Sequence, residues 1–234
     1  MDLFTTKIHK STNEKLANEL YYPCKKILES CDENELYTDG KTTFFSHTIL
    51  DDNKNFFKFY NYISTEVFNY LTDLDVDKTN LKLKINNSWV SEMYYNGYHG
   101  MHVHTHGNVL SGNFYIHAPH GSGDLIFTRH EWMSDQTSSL KINSYNKYNS
   151  KEWSFTPNKG DLYIWKCDLP HRVDKNKNNS RIAISFNIGF DYTIDKPYES
   201  WYIYFMKFYT NVTRWGNNLL IREYVNGQRL NRKV

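Results

Sequence analysis

Two stretches near the N-terminus repeat their apolar residues at helical spacing. Over 8–31, Leu16, Leu20, Tyr21, Cys24 and Ile27 fall on one stripe, and Ser11 followed three residues later by Glu14 has the form of a capping box. Over 53–73, Phe56, Phe59, Tyr60, Ile63, Val67, Phe68 and Leu71 form a second stripe. Both segments are expected to be helices whose apolar faces are core. From about residue 80 the period changes from helical to alternating. Short β-branched and aromatic runs, separated by Gly, Asn and Asp, predict strands at 81–86, 89–95, 101–106, 110–117, 123–128, 138–143, 152–155, 161–166, 171–173 and 181–191. No helix-length stripe interrupts them, which excludes a doubly wound parallel sheet and predicts a jelly-roll sandwich with the N-terminal helices packed on it. The organisation that follows is a helical region over 1–79, a β core over 80–194 and an aromatic-rich extension over 195–234. In the extension, Trp201, Tyr204, Phe205 and Phe208 could cover the sandwich, the mouth of a site or a homodimer contact.

Composition adjusts this picture in three places. Mean hydropathy is −0.71, yet 17% of the residues are aromatic, enough rings to bury a sizeable core. The net charge of +2 gives no strong pull toward nucleic acid or an anionic membrane, and no apolar run reaches the roughly 18 residues of a membrane helix. Cys24, Cys31 and Cys167 lack metal-type spacing and read as free thiols. With no apolar leader in "MDLFTTKIHK", they place the chain in a reducing cytoplasm, that of a host if the protein is viral.

The candidate chemistry is in the histidines. Seven of the ten lie between 99 and 130, and "GYHGMHVHTHGN" alternates His102, His104 and His106. On a strand these three project to one face, and two imidazoles at that spacing can converge on a cation such as Fe(II), Cu(II) or Zn(II). A solvated strand face would look the same. The segment "KGDLYIWKCDLPHRVDKNKNNSRIAISFNIGF" adds a strand, His171, a polar loop and a second strand opened by Arg181. A third imidazole and a fixed guanidinium across a sandwich are what an iron site with a keto-acid co-substrate needs: three ligands on one face, and a bidentate cation for the distal carboxylate. Asp124 in "GSGDLIF" is a second source of a ligand carboxylate. Ser185, four residues after Arg181, can offer a hydroxyl or be a plain strand serine. His99, His117, His120 and His130 have no spacing argument and read as rim or surface residues, and Trp89 and Trp165 as core.

Over roughly 88–190 these pieces resemble the Fe(II)/2-oxoglutarate-dependent dioxygenases, nearest to the prolyl-hydroxylase-like branch with its phage and bacterial relatives. "HTHGNVLSGNFYI" looks like the first ligand pair and the strand after it, "GDLYIWKCDLPHRV" like the strand carrying the last histidine, and "RIAISFN" like the strand carrying the co-substrate arginine. The resemblance implies a double-stranded β-helix that uses Fe(II), 2-oxoglutarate and O2 to hydroxylate a C–H bond, releasing succinate and carbon dioxide. It also implies His104, His106 and His171 as metal ligands and Arg181 on the C5 carboxylate, with Tyr94 and Tyr115 contacting the co-substrate. The chain departs from the family where His106 stands in place of the usual Asp or Glu, and His102 with His104 is an alternative pair of the same spacing. Two other readings stay open: a three-histidine cupin-type dioxygenase without 2-oxoglutarate, and a non-enzymatic metal-binding sandwich. The primary substrate, a small molecule or a protein side chain, is not legible.

Overall fold

The computed structural model describes residues 5–31, 39–46, 50, 53–105, 107–129 and 141–192. The tail over 195–234, His106 and His130 lie outside the described residues, as does half of the strand expected at 138–143, whose described part, 141–143, is not a strand.

The first helix, α1, spans Glu14–Glu29 rather than starting at residue 8. The residues before it form strand β1, His9–Thr12, which pairs antiparallel with a later strand (Ser11 opposite Leu162) and is thereby withheld from the helix. Ser11 is consequently not the cap: its hydroxyl meets the Tyr62 hydroxyl, and Asn13 caps the helix by accepting from the Leu16 amide at 3.0 Å. Helix α2 spans Phe57–Asp73, preceded by a 3-10 turn at Lys54–Phe56. Between the helices runs a short strand, β2, Gly40–Thr42, which the sequence pattern did not reveal.

Eight further strands follow. They are β3 (Leu81–Met93), β4 (His99–His102), β5 (Leu110–His117), β6 (Leu125–Thr128), β7 (Glu152–Phe155), β8 (Asp161–Lys166), β9 (His171–Val173) and β10 (Arg181–Tyr192). The two strands expected at 81–86 and 89–95 are one continuous strand, because β10 pairs with its whole length and absorbs the irregularity in a register shift at Asn187/Ile188. The strands build a six-stranded sheet, β1-β8-β5-β10-β3-β2, and a four-stranded sheet, β4-β9-β6-β7.

Alternation along the central strands makes two separate cores. Ile182, Ile184, Phe186 and Ile188 of β10 join Phe114, Leu162 and Ile164 under Leu16, Leu20, Phe59, Ile63 and Val67 of the helices. The alternate residues face the four-stranded sheet, where Ala183, Tyr115, Tyr163 and Trp165 pack with Leu125, Phe127 and Val173. Gly112 is required at its crossing, since a Cβ there would lie 2.3 Å from the Phe186 ring and 2.7 Å from the Tyr163 carbonyl oxygen.

The capping arrangement gives a first prediction. Asn13→Ala leaves the Leu16 amide without its acceptor and should lower the unfolding free energy by about 1 kcal/mol. Urea denaturation should show a lower midpoint with an unchanged slope; an unchanged midpoint would remove Asn13 from the role.

Candidate metal centre

Strand β4 and strand β9 set the first part of the site. His99 pairs with Val173 and His102 with His171, so three steps on β4 oppose two on β9. The extra residue is a bulge, and a bulge re-aims side chains that strict alternation would send to opposite faces. His99 and His102 therefore both line one cavity, their ring centroids 4.0 Å apart. Beyond His102 the chain leaves the strand, and the His104 amide donates to the Cys167 carbonyl at 2.8 Å. The expectation of a strand through 106 is corrected there, but His104 still faces the cavity.

His102, His104 and His171 each bring a ring nitrogen within 4.8 Å of the other two. The imidazole pair that the described residues bring to His171 is thus His102 and His104, while His106 lies outside them. The Nδ1 of His102 bonds the Gly100 carbonyl at 2.8 Å, and the Nδ1 of His171 bonds the Leu169 carbonyl at 2.9 Å. A carbonyl can only accept, so both Nδ1 atoms carry the proton and both Nε2 lone pairs are left for a cation. Burial, together with the neighbouring His102 and the other site imidazoles, pushes His171 down to about 2. Burial and His102 push His104 down to about 4, and burial lowers His102 despite its carbonyl partner. All three are therefore neutral near pH 7, the form that ligates. His99, pushed to about 3 by burial with smaller contributions from His102, His104 and Arg181, is a fourth neutral imidazole on the wall. The Trp165 ring lies 4.8 Å from that of His171, and the Trp89 ring 5.9 Å from that of His104.

The opposite wall comes from β3, β5 and β10. Arg181 lies opposite Met93, and Ser185 opposite Trp89. The Arg181 side chain is buried at 3% exposure; it donates to the Tyr115 hydroxyl at 3.1 Å, lies 4.9 Å from the centre of that ring and contacts the Met93 sulfur. Its Nε has no acceptor, and it forms no ion pair among the described residues. Tyr115 is pushed up by burial, offset in part by Arg181 and Asn113, and stays protonated. The Ser185 hydroxyl donates to the Asn113 Oδ1 at 2.5 Å, so it reaches the cavity mainly through that amide.

Among the other residues singled out in the sequence, Tyr94 follows β3 and is not a lining residue; its influence is on Lys25. Asp124 accepts from Thr156 at 2.8 Å and is not part of the imidazole cluster. His99 and Ser91 line the site without having been picked out as part of it, and Asn113, a strand amide that could have faced either way, lines it too. The bulge hid His99, and Ser91 becomes visible only once β3 is paired with β10.

Residues 87–187 match the model of the family described as "Putative 2OG-Fe(II) oxygenase". No curated protein sequence matches the chain. Among solved structures, a prolyl-4-hydroxylase of Pseudomonas putida is similar over 79% of this chain and 94% of that one, at 11% identity and a TM-score of 0.55. A Trichoplax adhaerens prolyl hydroxylase, in complex with a hypoxia-inducible-factor peptide fragment, is similar over 79% and 84%, at 13% identity and 0.54. HygX of Streptomyces hygroscopicus, with nickel, 2-oxoglutarate and hygromycin B bound, is similar over 79% and 83%, at 10% identity and 0.50. Against an oxidoreductase of the 2OG-Fe(II) oxygenase family from Burkholderia pseudomallei, the chain covers 45% of that chain's length. At these identities the structures establish the fold alone, the double-stranded β-helix. His102, His104, His171 and Arg181 all fall within the stretch that is similar to the 2OG-Fe(II) oxygenases.

Proposed function

We propose that His102, His104 and His171 hold Fe(II), that Arg181 and Tyr115 bind the distal carboxylate of 2-oxoglutarate, and that the protein hydroxylates a small molecule or a protein side chain. The observation that carries this reading is Arg181: a buried guanidinium without a carboxylate partner among the described residues, on the wall of the cavity that gathers three neutral imidazoles. A buried charge with no counter-charge is costly, and a dicarboxylate supplies what is missing. Iron bound by the imidazoles supplies the redox chemistry that couples loss of carbon dioxide from the keto acid to substrate oxidation.

The chain's own part is to bind, orient and exclude water. The Tyr115 hydroxyl receives the Arg181 N–H and can turn its own proton to the same carboxylate, so the two act as one clamp. Phe127 and Trp165 pack against the His171 ring and keep that imidazole buried, which strengthens the electrostatic contacts it makes. Compounds as different as a peptide and an aminoglycoside occur in the similar structures, so both substrate classes fit this architecture. No helix among the described residues is long and apolar enough to cross a membrane, and the three free thiols fit a reducing cytoplasm.

Anaerobic addition of Fe(II) and 2-oxoglutarate should give a weak visible charge-transfer band. His102→Ala, His104→Ala and His171→Ala should each abolish it, whereas His106→Ala should retain it. The reverse result for His102 and His106 would restore the His104–His106 pair. Arg181→Ala removes a charge-assisted contact in a desolvated site, a loss on the order of 2–5 kcal/mol, which corresponds to roughly 30- to 5,000-fold weaker 2-oxoglutarate binding. Metal content should not change. Arg172, engaged with Glu152 and Asp174 on the surface, is the control. Wild-type affinity in Arg181→Ala would overturn the keto-acid reading and favour the three-histidine cupin-type dioxygenase.

A further inference from the structure

The cavity departs from a carboxylate-containing iron site in its charge, and the departure bears on the primary substrate. Among the described lining residues Arg181 alone carries a formal charge, and none is an acid. The buried acids nearby are committed elsewhere. Glu92, on the opposite face of β3, accepts from Lys25 and Ser180, and Asp161 accepts from Lys10 and Thr12. A dication on three neutral imidazoles, together with Arg181, exceeds the charge of the 2-oxoglutarate dianion by one unit. An Asp or Glu ligand would have cancelled that unit. Sealing the cavity over it with a neutral substrate leaves a buried, uncompensated positive charge, an expensive arrangement.

The hydrogen-bond inventory points the same way. Two buried atoms of the lining have no partner, Trp89 Nε1 and Arg181 Nε, and both are N–H donors. Only an acceptor satisfies them. Trp89 and Arg181 stand four positions apart in the register, on neighbouring strands: Trp89 faces Ser185, four residues along β10 from Arg181. Four residues of strand span roughly 13 Å, so a dicarboxylate held at Arg181 leaves the Trp89 donor unused. The Trp89 ring is next to that of His104, on the metal side, and is covered from outside by Phe44 at 5.0 Å.

We infer that the primary substrate presents a carboxylate, or a monoanion of similar size, to the Trp89 end of the cavity beside the imidazoles. The inference rests on the iron and 2-oxoglutarate reading above and adds to it the charge class of the substrate. It excludes amine and guanidinium groups from the reacting position.

The test uses the full chain loaded with Co(II) and saturated with N-oxalylglycine, an inert analogue of the keto acid. Acetate and acetamide, matched in size but not in charge, are then titrated against the Co(II) absorption spectrum. Acetate should bind at least tenfold more tightly than acetamide. His104→Asp restores a ligand carboxylate and should cut that preference at least fivefold, with Co(II) still bound. Trp89→Phe keeps a ring and removes the N–H, and should weaken acetate by about 2- to 10-fold with N-oxalylglycine affinity unchanged. If N-oxalylglycine fails to bind in the first place, the keto-acid reading falls and the inference with it. If N-oxalylglycine binds but acetate and acetamide bind alike, or their ratio is the same in wild type and His104→Asp, the inference alone is overturned.

Discussion

The pairing of β10 with β3 is the contact on which the rest of the protein depends. It runs antiparallel from Arg181 opposite Met93 to Tyr192 opposite Leu81, and it places β10 between β3 and β5 at the centre of the larger sheet. Because a strand alternates its faces, this one register does two jobs. It sends Ile182, Ile184, Phe186 and Ile188 toward the helices and leaves Arg181, Ala183 and Ser185 facing the imidazoles. A slip of one residue would put the guanidinium under the helices and an isoleucine on the cavity wall. The helical layer therefore holds more than stability. By demanding apolar residues at alternate positions it fixes which β10 residues can belong to the site.

Much of this was legible because the relevant signals are local. The strands at 110–117, 152–155, 161–166 and 171–173 coincide with the alternation that predicted them. Histidines clustered in one segment, with a Pro-His and an Arg further on, led to the expectation of His104, His106 and His171 near Arg181; the described residues bring His102 and His104 to His171, and His106 lies outside them. What stayed hidden depends on contacts between distant segments. Residues 9–12 continue a helical stripe in the sequence, and only the exposed edge of β8 converts them to a strand. Ser11 has the right spacing for a cap, yet its backbone is taken by that ladder and Asn13 does the capping. The bulge in β4 is equally non-local: nothing in "YHGMHVH" says that His99 and His102 share a face until β9 is laid beside them.

The site also shows why imidazoles and a guanidinium can share one cavity in the ligand-free chain. Burial holds the histidines neutral, so they add no charge to repel Arg181, and two of them settle their second nitrogen on backbone carbonyls only two residues back. The aromatic ring of Tyr115 gives Arg181 a favourable face, and its hydroxyl an acceptor. These contacts are partial compensation. A cation–π contact is worth about 0.5–2 kcal/mol and a hydrogen bond to a charged group about 1.5–3 kcal/mol. The effective cost of burying an ion is several kcal/mol.

That imbalance is affordable only because it is local. The hydrophobic cluster beneath α1 and α2 lies on the other face of the sheet from the cavity. A substitution in the cavity therefore changes the site's electrostatics without opening the larger core, and the two layers can respond independently. The same separation makes the uncompensated charge useful. A fold already stable without neutralising Arg181 can leave that neutralisation to a ligand, and the free energy held back from folding then appears as affinity for an anion. Among the described residues the clustered imidazoles include no carboxylate, so that side of the cavity, like the Arg181 side, offers an anion no competing negative charge.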